Sequence, residues 1–175
     1  MSEHDSTSPS PAQPLLSVRG LTVAFTDAEG RSSTAVEDVE LSVQAGEIVA
    51  VVGESGSGKS VAALSIMGLL PRRNANVSAE RIDWRGENLA TADERRLRSI
   101  RGSEIAMIFQ EPVGSLNPVR TVGEQVAEAI RLHRTDVARR AMRGEVESAL
   151  RAVGIPDPPR VRRAHPHELS GGMCQ

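Results

Sequence analysis

The chain has 175 residues, enough for one domain with a buried core, and carries a formal net charge of −2 with a pI near 6.1. That balance argues against nucleic acid as the main partner, and the single cysteine excludes an internal disulfide and suits a reducing compartment. No apolar run reaches bilayer-spanning length, and the N-terminus lacks the apolar stretch of a secretory signal. Residues 1–14 are rich in Ser and Pro and read as a disordered tail. Leu15 to Phe25 alternates in strand fashion, broken at Gly20, and Thr34 to Val43 alternates again through Val36, Val39, Leu41 and Val43. The first part of the chain is therefore expected to be β-rich.

Glu47 to Val52 is a continuous apolar, β-branched run of the kind that forms a buried strand. Gly53-Glu54-Ser55-Gly56-Ser57-Gly58-Lys59-Ser60 follows and fits G-x-x-x-x-G-K-[ST]. Ser60 to Leu70 then reads as a helix stopped by Pro71. Strand, glycine loop and helix form the context of a phosphate-binding loop. The glycines let backbone N–H groups face phosphate oxygens, and the helix N-terminus adds partial positive charge. Lys59 would reach the outer phosphates and the Ser60 hydroxyl would ligate Mg²⁺. Lys59 is also the only lysine among 21 basic residues, kept where a compact charge suits phosphate better than a planar fork.

Beyond Pro71, Arg81 to Trp84 reads as a short strand, Arg85-Gly86 as a turn, and Asp93 to Arg101 as a charged helix. Ile105 to Phe109 is a second continuous apolar run, expected as a buried strand ending at Gln110-Glu111-Pro112. From Thr121 the period becomes helical, through Val122, Val126, Ala129 and Ile130 and then Val146, Ala149, Leu150 and Val153. The chain closes on His165-Pro166-His167-Glu168-Leu169-Ser170-Gly171-Gly172-Met173-Cys174-Gln175. There Ser170 can cap a helix whose glycines allow close backbone approach. His165 and His167 lack the Cys or acidic cluster a metal site would need.

GESGSGKS, MIFQEPVGSLNP and HPHELSGGM stand in one order. Together they resemble the ATP-binding subunits of ABC transporters, most narrowly the oligopeptide, dipeptide and nickel importers. The resemblance runs from Leu15 to Gln175. It implies an α/β P-loop NTPase fold with a β-rich N-terminal part and a helical subdomain over about residues 112–168. ATP and Mg²⁺ are the implied cofactors. Residues 53–60 would be the Walker A loop, and Gln110 the Q-loop glutamine that touches Mg²⁺ and the attacking water. Ser170, Gly171 and Gly172 would be the signature motif, contacting ATP held by a second ATP-binding subunit. Phe25 is either the aromatic that stacks on adenine or a core residue closing the first strand. The implied partners are transmembrane permease subunits and, indirectly, a solute-binding protein, at the cytoplasmic face of the membrane and without nucleic acid.

Two departures from that pattern stand near Gln175. The family continues into an apolar strand ending in Asp-Glu, and Glu111 is a poor substitute because it sits beside Gln110. The C-terminal part of the core sheet is thus expected to be missing, with Ile48 to Val52 incompletely covered, the chain aggregation-prone and hydrolysis negligible. Cys174 stands where the resembled importers carry Arg. Two other readings are a non-catalytic ATP-binding fragment and a DNA-repair ATPase of the same superfamily. The latter needs a long coiled coil between Gln110 and Ser170, where only about sixty residues without sustained heptads occur.

Overall fold

The computed structural model describes residues 13–109 and 112–175, so most of the expected N-terminal tail, together with Gln110 and Glu111, lies outside the described residues. The chain forms two compact units, Met1–Arg101 and Gly102–Gln175.

The first unit is built on β1 (Leu16–Thr26), which pairs antiparallel with β2 (Ser32–Val43) along its length. On its other side β1 pairs with β4 (Arg81–Trp84) through residues 16–19 and with β3 (Ala75–Ser78) through residues 22–25. The change of partner falls at Gly20, where φ is 61° and a Cβ would lie 2.8 Å from Glu80 Cγ. Only glycine meets both conditions without strain. The apolar positions of β2 run 36, 39, 41, 43, with one step of three. Asp38, at φ 47°, sits in that step, and its amide donates to Thr22 Oγ1 at 3.1 Å. A bulge there resets the alternation, so Val36 is buried and Val39, Leu41 and Val43 still point partly inward.

Two-residue β5 (Glu87–Asn88) completes the sheet, followed by a 3₁₀ turn over Leu89–Thr91 and α2 (Glu94–Ile100). Asp93 caps α2 by accepting from the Arg96 amide at 2.8 Å. Leu97 and Ile100 then join Val18, Leu21, Val23, Ile82, Trp84 and Leu89 in the core.

The second unit contains α3 (Pro112–Ser115), α4 (Val122–His133), α5 (Met142–Ala152), α6 (Pro158–Val161) and α7 (Gly171–Cys174). Thr121 and Glu124 form a reciprocal capping box at the start of α4. Met142, Val146 and Leu150 recur every four residues and form one stripe of α5. With Val122, Ala127 and Val161 they make the core of this unit. Leu169 and Met173 pack against that core and anchor the last turn of the chain. Among the described residues, no helix is long and apolar enough to cross a membrane.

Three sequence expectations are corrected here. Glu47–Val52 and Ile105–Phe109 are not strands, and every pairing in the described sheet is antiparallel. Ile48 is 96% exposed, Val52 88% and Ile108 79%. Neither run joins the described sheet, and of the two only Ile105 takes part in a pairing, as an isolated bridge residue. The helix after the glycine loop, α1, spans Lys59–Ile66 and ends before Pro71. Gly68, at φ 62°, closes it: its amide donates to Ser65 O and the Leu69 amide to Leu64 O.

Candidate functional site

The phosphate-loop candidate is placed by α1, which packs on β1 and β2. Gly58 is the residue before α1, at φ 86°, and Gly56 also has positive φ, at 83°. A Cβ on Gly58 would stand 2.6 Å from the carbonyl oxygen of Ala35 and 2.8 Å from Val36 Cγ2. The loop is therefore pressed directly onto the backbone of β2, a contact that the motif's spacing does not announce. Gly53 is constrained from inside the loop, since a Cβ there would lie 2.8 Å from Ser57 Oγ.

Lys59 folds back over this loop. Its ammonium donates to the carbonyls of Gly53 at 2.8 Å and Glu54 at 2.6 Å, and to Ser57 Oγ at 3.0 Å. The charge is thus held over the cradle by three neutral acceptors, each weaker than an ionised phosphate oxygen. Gly53 to Ser57 are exposed, so the cradle is open. Ser60 is exposed in the first turn of α1, where its hydroxyl can serve as one oxygen ligand. One protein hydroxyl combined with phosphate oxygens and water is a fitting donor set for Mg²⁺. Ser57, named earlier only as a loop position, emerges as a partner of the lysine.

Phe25 lies near the end of β1, in register with Ser33 on one side and Ala75 on the other, and is half-buried. Gln110 is outside the described residues.

In the second unit, Ser170 caps α7 by accepting from the Met173 amide at 3.3 Å. Gly171 and Gly172 are exposed, and a Cβ on either would meet nothing within 4 Å among the described residues. The turn is braced from below. Glu168 accepts from the His165 amide at 2.6 Å and contacts its ring Nδ1 at 3.3 Å, and these contacts hold the carboxyl below its ordinary range. The His165 and His167 rings stack with centroids 5.6 Å apart. Cys174 directs its thiol to the Pro166 carbonyl at 3.6 Å, part-buried. Position 174 thus faces the chain's own backbone.

The family model for ABC transporters matches residues 36–175, from the middle of β2 through the Ser-Gly-Gly turn. The chain belongs to the ABC transporter family. A Brucella melitensis protein provisionally named as a peptide import ATP-binding protein is 49% identical over 168 residues, covering 93% of this chain and 49% of that protein. The dipeptide transport ATP-binding protein DppD of Bacillus subtilis is 46% identical over 161 residues, covering 92% and 48%. The glutathione import ATP-binding protein GsiA of Salmonella choleraesuis is 46% identical over 166 residues, covering 92% and 26%. This ABC chain thus spans about half, or less, of the length of the curated relatives it matches.

A solved structure, cbiO1 from Clostridium perfringens, is part of the ABC transporter complex cbiONQ. It aligns with a TM-score of 0.67 at 22% identity, covering 93% of this chain and 58% of that one. The ABC chain therefore has the fold of a P-loop NTPase of this family, although its own described sheet is antiparallel.

Proposed function

We propose that this chain is an ATP-binding part of an ABC importer, in which ATP binding and hydrolysis drive uptake of peptides or related small solutes. The observation that carries the reading is the Lys59 ammonium, held by Gly53 O, Glu54 O and Ser57 Oγ over an exposed glycine loop at the head of α1. On nucleotide binding Lys59 exchanges neutral oxygens for charged ones, and the amide groups and dipole at the start of α1 add to the attraction. Ser60 supplies an oxygen ligand for Mg²⁺, whose chemistry here is neutralisation of phosphate charge. By the family resemblance Gln110 serves Mg²⁺ and the attacking water, and Phe25 stacks on the adenine rather than only closing the first strand.

Residues 15–175 belong to one nucleotide-binding domain, with a helical subdomain over about 112–168. Its helices face a membrane permease at the cytoplasmic side. Ser170, Gly171 and Gly172 contact nucleotide held by a second ATP-binding subunit, and the open space over both glycines leaves room for it. The peptide class of solute follows from the names of the relatives, which span dipeptide, glutathione and other peptide import.

The test is direct titration of the purified chain with a fluorescent ATP analogue in Mg²⁺. Lys59→Ala should abolish saturable binding, while Arg19→Ala, on the outer surface of β1, should not. Equal affinity in the parent and Lys59→Ala would overturn the reading.

A further inference from the structure

The C-terminal end of α1 is held by a side chain that lies outside every sequence motif. The closure at Gly68 satisfies the carbonyls of Leu64 and Ser65 but leaves those of Met67 and Gly68 to other donors. Arg101, which follows α2, supplies both. Its Nε donates to Met67 O at 2.8 Å and a terminal guanidinium nitrogen to Gly68 O at 2.8 Å. The other terminal nitrogen donates to Glu94 Oε1 at 2.7 Å.

The side chain is only 20% exposed, and its bond to Met67 O is part-buried, while those to Gly68 O and Glu94 stand nearer solvent. The fit is close: a Cβ on Gly68 would stand 3.0 Å from the guanidinium and 3.2 Å from Leu97 Cδ1. Glu94 also meets Arg98 at 3.4 Å and Arg72 at 3.8 Å, but the Arg101 bond is the largest influence holding its carboxyl below the ordinary range.

We propose that Arg101 is a positioning residue for nucleotide binding, its guanidinium braced by Glu94 and fixing the far end of the helix that presents the phosphate loop. The inference rests on the reading of Gly53–Ser60 as the ATP site. Helix α1 has eight residues and is about 12 Å long, so a tilt at one end is carried to the other. Lys59 is its first residue. A cation at the helix C-terminus also complements the dipole whose positive end faces the phosphates. Arg101 reaches its three acceptors from three separate nitrogens held in one plane, whereas the donors of a lysine share a single nitrogen, so a lysine would replace it in part.

The experiment compares Mg²⁺-dependent binding of the fluorescent ATP analogue by the parent, Arg101→Gln, Arg101→Lys and Arg96→Gln. Arg96 pairs with Glu87 at 2.7 Å, so its loss costs a comparable surface ion pair on the same segment of the chain. The expected result is roughly tenfold weaker binding for Arg101→Gln, an intermediate value for Arg101→Lys and parental affinity for Arg96→Gln. A purely structural role would instead weaken both glutamine variants in proportion to their melting temperatures.

Arg101→Gln within about twofold of the parent overturns the proposal, as does parallel loss in Arg96→Gln. If Arg101→Gln does not fold, Arg101→Lys decides: parental affinity overturns the proposal and several-fold weaker binding supports it. Lys59→Ala keeps the two readings apart. If it binds normally the site assignment fails. If it fails to bind while Arg101→Gln is unaffected, only the positioning role fails.

Discussion

Gly58 stands against Ala35 so closely that a Cβ would lie 2.6 Å from the Ala35 carbonyl oxygen. The phosphate loop and β2 are thus in backbone contact, and the neighbour is a peptide oxygen that cannot rotate away. Gly58→Ala must also adopt φ near 86°, which costs an L-residue about 1–2 kcal/mol before any clash. The loop, rather than the sheet, should yield. Gly58→Ala is expected to lose at least about tenfold in nucleotide affinity while its far-ultraviolet circular dichroism stays parental. Gly30→Ala is the control: it has positive φ, 81°, but its Cβ meets nothing within 4 Å, so it should bind nucleotide normally. Equal losses in the two variants would show that the turn conformation, not the contact with β2, sets the loop.

Ile48 and Val52 make the opposite kind of statement. They belong to an apolar run and are nonetheless 96% and 88% exposed. Exposed β-branched runs with unpaired backbone are templates for association. The purified chain should therefore show concentration-dependent light scattering, and Ile48→Lys with Val52→Lys should suppress it. Because neither side chain packs in the core, the double variant should melt within about 4 °C of the parent. A larger fall would mean that these residues are buried in solution.

Local features of the sequence were readable and long-range ones were not. β1, β4, α2, α4 and α5 follow from alternation, caps and helical stripes within each segment. The same kind of signal, an apolar run, failed for Glu47–Val52 and Ile105–Phe109, because composition says what a segment would bury but not which strand will pair with it. β3, Ala75–Ser78, had no apolar period to find. It exists because β1 changes partner at Gly20. At the site, the motif located Gly53–Ser60 and the Lys59 charge. The Ala35 contact and the Ser57 hydroxyl bond depend on packing and side-chain direction, which the spacing does not carry.

Acid should loosen the helical unit through Glu124. Its carboxyl accepts from the Thr121 amide at 2.8 Å and the Thr121 hydroxyl at 3.0 Å, and these bonds lower its pKa below the ordinary 4.5. A carboxyl that binds its proton less tightly when folded adds stability above its unfolded value, and that stability is lost as pH falls through the lower, folded value. Glu94, Glu147 and Glu168 are lowered in the same direction. Denaturant midpoints should thus be flat from neutral pH to near 4.5 and fall below it. Glu124→Gln keeps the capping box without a titrating group, so it should make that fall shallower. An unchanged slope would remove Glu124 from the account.

Gly123 fixes how α4 meets the end of α6. Its amide donates to Arg162 O at 2.9 Å, and the Val122 amide donates to Ala164 O at 2.9 Å. A Cβ at 123 would stand 2.5 Å from Arg162 O and overlap Arg162 Cγ. Gly123 is buried at the second position of α4, where alanine would otherwise raise helix propensity by about 1 kcal/mol. Packing and propensity therefore oppose each other, and the contact should win, because the arginine stem can move but the Arg162 oxygen cannot without losing its hydrogen bond from the Gly123 amide. Gly123→Ala is expected to destabilise the unit by about 1–3 kcal/mol in denaturant melts. Gly144→Ala, in α5 with nothing near its Cβ, should stabilise it. Stabilisation by both substitutions would show that α4 and α6 are not docked through these two amides.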